Sequence, residues 1–352
     1  MQAKFDAKRI LRRGKFLFWH KLSSVQIIVL YYILMTLLAL ILFYLPFFRQ
    51  PNSHVAFIDM FFMAVSTISV TGLTTFPINE IFNERGIILL EVLFQVGGLG
   101  IMMISTFFFI ISKRKITLKQ RQLIMTDMNQ PRLSGIVRLI RTTFTIILAL
   151  QIISGVFFTF YFKFKNYYAH WKDAIYYGFY EAVSAVTNSG FDVTGQSIFP
   201  YSQDYLFLII IMLLIFIGGI GFPVIMDVRE WIGFHYSSHK NRLHFRFSLF
   251  TKIAVLSSAI LFVGGALVIF LLEKNHLFAG MDSFEQIINS FFYSITTRNA
   301  GMQIHDLNDF QTTTLIVFST LMFIGCSPSS VGGGVRTTTI MIIGLYLYSF
   351  LK

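Results

Sequence analysis

Three matching stretches decide the fold of this chain: Ser69-Val70-Thr71-Gly72-Leu73, Thr187-Asn188-Ser189-Gly190-Phe191 and Arg298-Asn299-Ala300-Gly301-Met302. In each stretch a single glycine follows a short apolar and aromatic segment and precedes a long apolar span. The glycines lie 118 and 111 residues apart, so the chain carries three copies of one unit. Parallel repeats can place equivalent backbone turns around one axis along the membrane normal.

The composition is that of a membrane protein. Of 352 residues, 55% are hydrophobic and 13% are charged, whereas a soluble protein carries about 25% charged residues. Apolar runs at 25–48, 86–112 and 205–228 each reach the ~20 residues that a helix needs to cross hydrocarbon. The first run lacks the small-residue cleavage site of a signal peptide, and the single Cys326 excludes an intrachain disulfide.

Basic residues are segregated along the chain. The net charge of +12 is concentrated in three segments, 1–24, 113–135 and 229–250, with a few more Lys and Arg just beyond them. The alternate loops, which contain the three glycines, carry an excess of Asp and Glu. By the positive-inside rule, the basic segments and the N-terminus face the cytoplasm and the glycine loops open outward. The same segregation argues against nucleic-acid binding.

Three repeats follow from this orientation, at 25–112, 136–228 and 251–352. Each has a full span, a short apolar segment, a glycine and a second span; the short segments lie at 56–66, 174–186 and 283–296. At 1.5 Å per residue a short segment reaches only ~16–21 Å, which predicts re-entrant half-helices. Extracellular surface helices are the alternative. The predicted fold is an all-α polytopic membrane protein with three parallel M1–pore-helix–M2 repeats around an axial pore.

The glycine turns are candidate cation ligands. A half-helix that enters from outside directs its negative C-terminal end toward the membrane centre, which favours a cation. The backbone that returns outward survives at that depth only if it is buried in protein or lines water, and its carbonyls can then replace hydration oxygens. We expect the guanidinium of Arg298 to turn away from the axis, toward a carboxylate or a carbonyl. The predicted ligands are the backbone carbonyls of Val70, Thr71, Gly72, Asn188, Ser189, Gly190, Asn299, Ala300 and Gly301.

The second spans share a glycine landmark, Gly97-Gly98-Leu99-Gly100 in the first repeat and Gly218-Gly219-Ile220-Gly221 in the second, which indicates close helix packing. In the third repeat the helix must break at 325–336. We predict a flexible gate there, below the turns. A phosphate-binding loop is the alternative, but no strand precedes the segment and the P-loop lysine is missing. The candidate gate residues are Gly325, Ser327, Pro328, Ser329, Ser330, Gly332, Gly333, Gly334 and Arg336.

These motifs resemble the Ktr/Trk/HKT superfamily of potassium transporters, and most closely the membrane subunit of bacterial Ktr systems. The resemblance covers nearly the whole chain and rests on the three glycine stretches, on 95–100 and on the break after Gly325. It implies K⁺ uptake through a single-glycine filter, an intramembrane gating loop and a homodimer in the bacterial plasma membrane. It also implies a cytosolic RCK-type nucleotide-binding ring, so that any nucleotide acts through the partner, and in some members activation by Na⁺.

The family pattern has four repeats, and a fourth glycine would fall near position 415. We therefore expect the fourth repeat to be absent from this chain, which appears as a truncated form of the family pattern. Alternative functions are a non-selective or Na⁺-coupled cation transporter, a proton-coupled carrier, and a membrane-embedded lipid-linked enzyme. An enzyme would need clustered acids or histidines, whereas Asp59, Glu91 and Glu181 are scattered. We predict structural roles for Glu91 and Glu181.

Two further groups of residues carry open interpretations. His235, His239 and His244 share one basic loop, where surface histidines are favoured over a metal site. The segments 113–132 and 229–246 suit either anionic membrane lipids or the regulatory ring.

Overall fold

The computed structural model describes residues 23–51, 53–100, 103–104, 109, 112, 116–128, 135–236 and 245–351. In these ranges the regular structure is helical, and the only β-type pairing is an isolated bridge between Arg49 and Phe82. Three 3₁₀ turns lie at Pro46–Phe48, Phe199–Tyr201 and Leu307–Asp309. The α-helices are α1 (Ser24–Tyr44), α2 (Phe57–Ser69), α3 (Ile78–Ile81), α4 (Glu84–Leu99), α5 (Leu118–Asp127), α6 (Ile136–Phe164), α7 (Trp171–Thr187), α8 (Tyr205–Gly219), α9 (Phe222–Tyr236), α10 (Leu249–Glu273), α11 (Ser283–Thr296), α12 (Thr312–Phe323) and α13 (Thr337–Leu351).

The first helix of each repeat is a candidate membrane span. α1, α6 and α10 have the length and composition to cross, and α8 with α9 passes the same test as one span bent by 105°. α1 and α10 each begin after a capping serine. The side chains of Ser23 and Ser248 accept a hydrogen bond from the backbone N–H of the residue three positions further along the chain. The all-helical membrane fold predicted from the sequence is therefore confirmed.

The short helices lie where the repeats predict them. α2, α7 and α11 pack against α1, α6 and α10 respectively. Small residues allow the closest approach: a Cβ on Gly178 would lie 2.7 Å from the backbone nitrogen of Thr159. The second helix of one repeat also packs on the short helix of the next, α4 on α7 and α8 on α11. Successive repeats therefore pack on one another through the same pair of helices.

The second helices end earlier than the sequence predicts. We expected unbroken spans over 86–112 and 205–228, with a break in the third repeat alone. Instead α4 ends at Leu99 before Gly100, which has φ +84°, and α8 ends at Gly219 before Gly221, which has φ +103°. Positive φ interrupts a right-handed helix, so the expectation of continuous spans is wrong.

Buried apolar side chains form two main clusters. One joins the second and third repeats, and the other fills the first repeat and includes Tyr180 and Phe191 of the second. The outward faces of α1 and α10 are rich in exposed Val, Leu and Ile, as lipid contact requires.

Several sequence-based predictions lie outside the described residues. These are most of the basic segment 1–24, parts of 113–135 and 229–250, and the histidines His239 and His244. His235 is exposed and contacts the carbonyl of Trp231. Within the described ranges, no three His, Cys, Asp or Glu side chains converge on a metal position.

Candidate cation pathway

A residue with positive φ lies two positions before each glycine. Val70 and Asn188, both with φ +53°, are the left-handed caps of α2 and α7, whereas α11 ends at Thr296 with a right-handed cap at Thr297, and a φ of +85° follows at Asn299. A left-handed residue closes a helix C-terminus and reverses the chain. The first two turns are therefore built alike, and the third reverses after a further right-handed residue.

Backbone hydrogen bonds close these turns in a similar way. The N–H of Thr71 donates to the carbonyl of Ser66 (2.9 Å), and that of Ser189 to Ser184 (3.0 Å). In the third turn the N–H groups of Ala300 and Gly301 both donate to one carbonyl of α11, at 2.9 and 3.1 Å. Carbonyl groups at the helix ends thus accept the hydrogen bonds that close the turns. Among the described residues, the carbonyl groups of the turns themselves accept none of these bonds.

The glycines form the contacts between turns. Gly72, Gly190 and Gly301 have φ of +78°, +63° and +71°. A Cβ on Gly72 would lie 2.2 Å from the carbonyl oxygen of Ser189, and one on Gly190 would lie 2.1 Å from that of Ala300. Ser189 directly precedes Gly190, and Ala300 directly precedes Gly301. The contact between the first and second turns is therefore repeated between the second and third turns.

One outer cavity of about 350 Å³ touches all three turns. Gly72, Gly190 and Gly301 line it, together with Asp192 and hydroxyl groups of Thr71 and Ser197. Of the nine predicted ligands, Thr71, Gly72, Gly190 and Gly301 line this cavity, and the other five do not.

Side chains of the short helices fix the turns from behind. Hydrogen bonds join Leu73 N to Ser66 Oγ (3.0 Å), Tyr180 Oη to the Phe191 carbonyl (3.0 Å), and Thr296 Oγ1 to the Met302 carbonyl (2.7 Å). Such support holds a backbone ligand set in one geometry.

Arg298 is buried, with 5% of its surface exposed. Its Nη1 and Nη2 lie 3.4 Å from the carbonyl and hydroxyl of Ser258 on α10, and its own carbonyl accepts from the thiol of Cys326 at 3.1 Å. The guanidinium therefore points to a carbonyl, one of the two partners expected. Neither Glu91 nor Glu181 receives a hydrogen bond from the described residues, which leaves their predicted structural ties without support.

The segment 325–336 folds as a compact loop. The N–H of Cys326 donates to the carbonyl of Gly333 (3.1 Å), and Gly325 packs so tightly that a Cβ would lie 2.0 Å from that oxygen and 2.8 Å from the Cα of Gly334. Arg336 Nη1 donates to the carbonyl of Gly332 at 2.5 Å. The three consecutive glycines allow this backbone-to-backbone contact.

The loop is bonded to the break in the second repeat. Backbone bonds join Ser327 N to the Gly219 carbonyl (3.0 Å), Val331 N to Gly218 (3.3 Å), and Phe222 N to Ser329 (2.6 Å), and Pro328 packs on Gly221. Ser330 Oγ donates within the loop to Ser327. Gly332 and Gly333 lie against the side chain of Asn299, next to the third turn.

A second cavity, of about 180 Å³, lies between the first turn and the loop. It is lined by Ser69 and Val70 at the end of α2 and by 329–333 of the loop, whereas the outer cavity touches 71–74. The two cavities therefore contact successive stretches of the chain at the first turn, 68–70 and 71–74. The loop borders the inner one.

A further contact with this loop could not be predicted from the sequence. α5, in the basic segment between the first two repeats, ends at Asp127, which also lines the inner cavity. The hydroxyl of Ser329 donates to the carbonyl of Met128 just beyond. Short polar segments carry no apolar periodicity, so their docking site cannot be derived from the sequence.

Comparison with known proteins identifies the family. Residues 48–351 match the model of the TrkH family, described as "Cation transport protein". The chain is 42% identical over 342 residues to the Ktr system potassium uptake protein D of Bacillus subtilis, covering 97% of this chain and 74% of that one. It is 32% identical over 335 residues to the potassium/sodium uptake protein NtpJ of Enterococcus hirae, covering 94% and 71%.

A solved structure supports the fold. The potassium transporter TrkH from Vibrio parahaemolyticus superimposes with a TM-score of 0.69 at 18% identity, over 94% of this chain and 63% of that chain. This chain thus spans less than two thirds of that structure. A family of transporters, rather than enzymes, accounts for both the sequence and the fold, and the chain belongs to the TrkH family of cation transport proteins.

Proposed function

We propose that this chain is the membrane subunit of a potassium uptake system and that K⁺ passes the ring of glycine turns. The observation that carries the proposal is the repeated contact of Gly72 with Ser189 and of Gly190 with Ala300. The contact sets each of the first two glycines against a carbonyl of the next turn, and all three glycines line one cavity. Carbonyls so placed replace the water of a dehydrated cation. Both relatives are named as uptake proteins for potassium, the second for potassium and sodium.

The test is growth at low potassium of a bacterium that lacks its own K⁺ uptake systems. Wild-type chain should restore growth, and Gly72→Ser, Gly190→Ser and Gly301→Ser should each reduce it, the last one least. Gly264→Ser is the matched control, because this helical glycine has open space where a Cβ would be placed. Restored growth by all three turn variants would contradict the filter.

The loop 325–336 is the proposed gate. It borders the inner cavity and rests against Asn299 of the third turn. Deletion of the three glycines 332–334 should raise K⁺ flux, and so should Arg336→Gln, which releases the carbonyl of Gly332. Arg138→Gln is the control, since Arg138 is an exposed arginine paired with Glu230 at 3.3 Å. Unchanged flux in both loop variants would count against a gate.

The remaining side of the ring is proposed to come from a further element. Gly72 and Gly190 each contact the following turn closely. A Cβ on Gly301, in contrast, would have its nearest described atoms in Gly190, at 3.6 Å or more. A fourth repeat, as in the four-repeat pattern of the family, would close the cavity beyond Gly301.

The partners follow from the same proposal. They are a second copy of the chain, a cytosolic RCK-type ring that carries the nucleotide, and membrane lipids, in a bacterial plasma membrane with the N-terminus inside. Coupling to Na⁺, or activation by it, is a second candidate, because the Enterococcus relative is named a potassium/sodium uptake protein. Uptake of K⁺ measured with and without Na⁺ separates the two.

A further inference from the structure

The outer cavity holds a single formal charge. Among the described residues that line it, Asp192 is the one carboxylate, and the others are hydroxyl, amide, glycine or apolar residues. Asp192 follows Gly190 by two positions and is partly buried. A carboxylate in a recessed cavity focuses its field along the cavity and raises the local cation concentration.

The side chain is held by one oxygen. Oδ1 accepts from the backbone N–H of Thr194 (2.8 Å), from its hydroxyl (2.9 Å) and from the N–H of Gly195 (2.9 Å). The described residues give Oδ2 no hydrogen bond, so half of the carboxylate is fixed in the loop and half is free to meet a cation. A fixed charge acts on every approaching ion without first being ordered.

The loop that carries Asp192 is tied to its neighbours in both directions. Asn79 donates to the carbonyl of Thr194 from the first repeat (3.2 Å). Ile198 N donates to Gln303 beyond the third turn (3.2 Å), and Gln303 N donates to Ser197 Oγ (3.0 Å). The carboxylate is thereby kept at the rim of the cavity that the three turns share.

We propose that Asp192 is the cation-recruiting group of the outer mouth: it draws dehydrating K⁺ toward the turns and sets the concentration at which they fill. This inference rests on the proposed function, and it adds a side-chain charge to a path otherwise formed by backbone oxygens. It predicts that recruitment weakens with ionic strength, because salt screens a solvent-facing charge over about 8–10 Å.

Asp192→Asn is the informative variant. Asparagine retains an acceptor for the three bonds to Thr194 and Gly195, while it removes the charge and replaces the free oxygen by an amide NH₂ group. Asp282→Asn is the control: Asp282 is an exposed carboxylate that caps α11 on the same outer side and does not line the cavity. Both variants change the net charge by the same amount.

The readout is the K⁺ concentration that gives half of the maximal K⁺-dependent rise in melting temperature of the purified full chain. Asp192→Asn should raise this half-maximal K⁺ concentration about three- to fivefold. The variant should also make the half-maximal K⁺ concentration less dependent on ionic strength, which is adjusted with N-methylglucamine chloride. Asp282→Asn should leave both unchanged. Equal values for Asp192→Asn and wild type would overturn the inference, and so would an equal shift in Asp282→Asn.

Uptake in the K⁺-uptake-deficient bacterium is measured in parallel. Asp192→Asn should raise the half-saturating K⁺ for uptake by a similar factor and leave the maximal rate close to wild type. A lower maximal rate at unchanged half-saturation would show a distorted loop and would overturn recruitment. If the wild-type chain showed no uptake, but K⁺ still stabilised it and Asp192→Asn still raised the half-maximal K⁺ concentration, transport would be contradicted and the cation site would stand.

Discussion

Alanine at Gly190 and at Gly301 should give different results, although both glycines have nearly the same backbone conformation. Their φ values are +63° and +71°. Forcing alanine into this region costs about 1–2 kcal/mol at either position. The surroundings differ. A Cβ on Gly190 would lie 2.1 Å from the carbonyl oxygen of Ala300, whereas the nearest atom to a Cβ on Gly301 is 3.6 Å away.

The difference in transport follows from that distance. Because an ordinary contact begins near 3.4 Å, the Ala300 carbonyl must move by 3.4 − 2.1 = 1.3 Å in Gly190→Ala. A ligand displaced by more than 1 Å no longer coordinates the ion in its place. We expect Gly190→Ala to lower K⁺ uptake more than tenfold and Gly301→Ala less than threefold, and Gly72→Ala, with a 2.2 Å approach to Ser189, to resemble the former.

The assay is initial K⁺ or Rb⁺ uptake, normalised to protein in the membrane, with melting temperature measured on the purified variants. Similar thermal destabilisation of Gly190→Ala and Gly301→Ala would show that the shared backbone strain is present in both. Wild-type uptake by Gly190→Ala would refute the arrangement of turns, and so would equal loss in the two variants.

Three more substitutions test the packing around this site. Gly97→Ala would place a Cβ 2.3 Å from a backbone carbonyl of α2 and should lower both melting temperature and uptake, unlike Gly264→Ala, which meets no atom within 4 Å. Glu273 is fully buried and accepts hydrogen bonds from the hydroxyl of Thr314 and from two backbone N–H groups. Glu273→Ala should therefore lower the free energy of unfolding, measured by chemical denaturation, by about 2–4 kcal/mol, and Glu273→Gln should lower it less. Burial lowers the pKa of His305 from its ordinary 6.5. The neutral ring is therefore favoured in the fold, and this contribution to stability is present above pH ~6.5 and lost as pH falls; His305→Gln should flatten the acid limb of a plot of melting temperature against pH.

The positions of the short helices could be predicted well from the sequence. The segment 283–296 coincides with α11, and 56–66 differs from Phe57–Ser69 by a few residues. Their signals are local: a run of aromatic and apolar residues too short to cross, and a glycine that ends it. Spacing between the glycines then gave the number and direction of the repeats.

The bend in the second repeat could not be predicted in the same way. Gly218 packs against the carbonyl of Val186, as expected for a close helix contact, yet the helix ends one residue later. The end depends on Ser327, whose N–H donates to the freed carbonyl of Gly219. A partner more than a hundred residues away decides whether a glycine pair packs or breaks, and no local pattern records it.

The bonds between the loop 325–336 and the second repeat have a consequence for the gate proposed there. Ser327, Val331 and Phe222 contribute three backbone N–H groups whose acceptors lie on the other segment. Separating the segments in a dry interior would strand both donors and carbonyls at several kcal/mol for each group. Water would therefore have to enter between the loop and the second repeat as their hydrogen bonds break. A mutation that makes the residues around these bonds more hydrophobic would keep the two segments together.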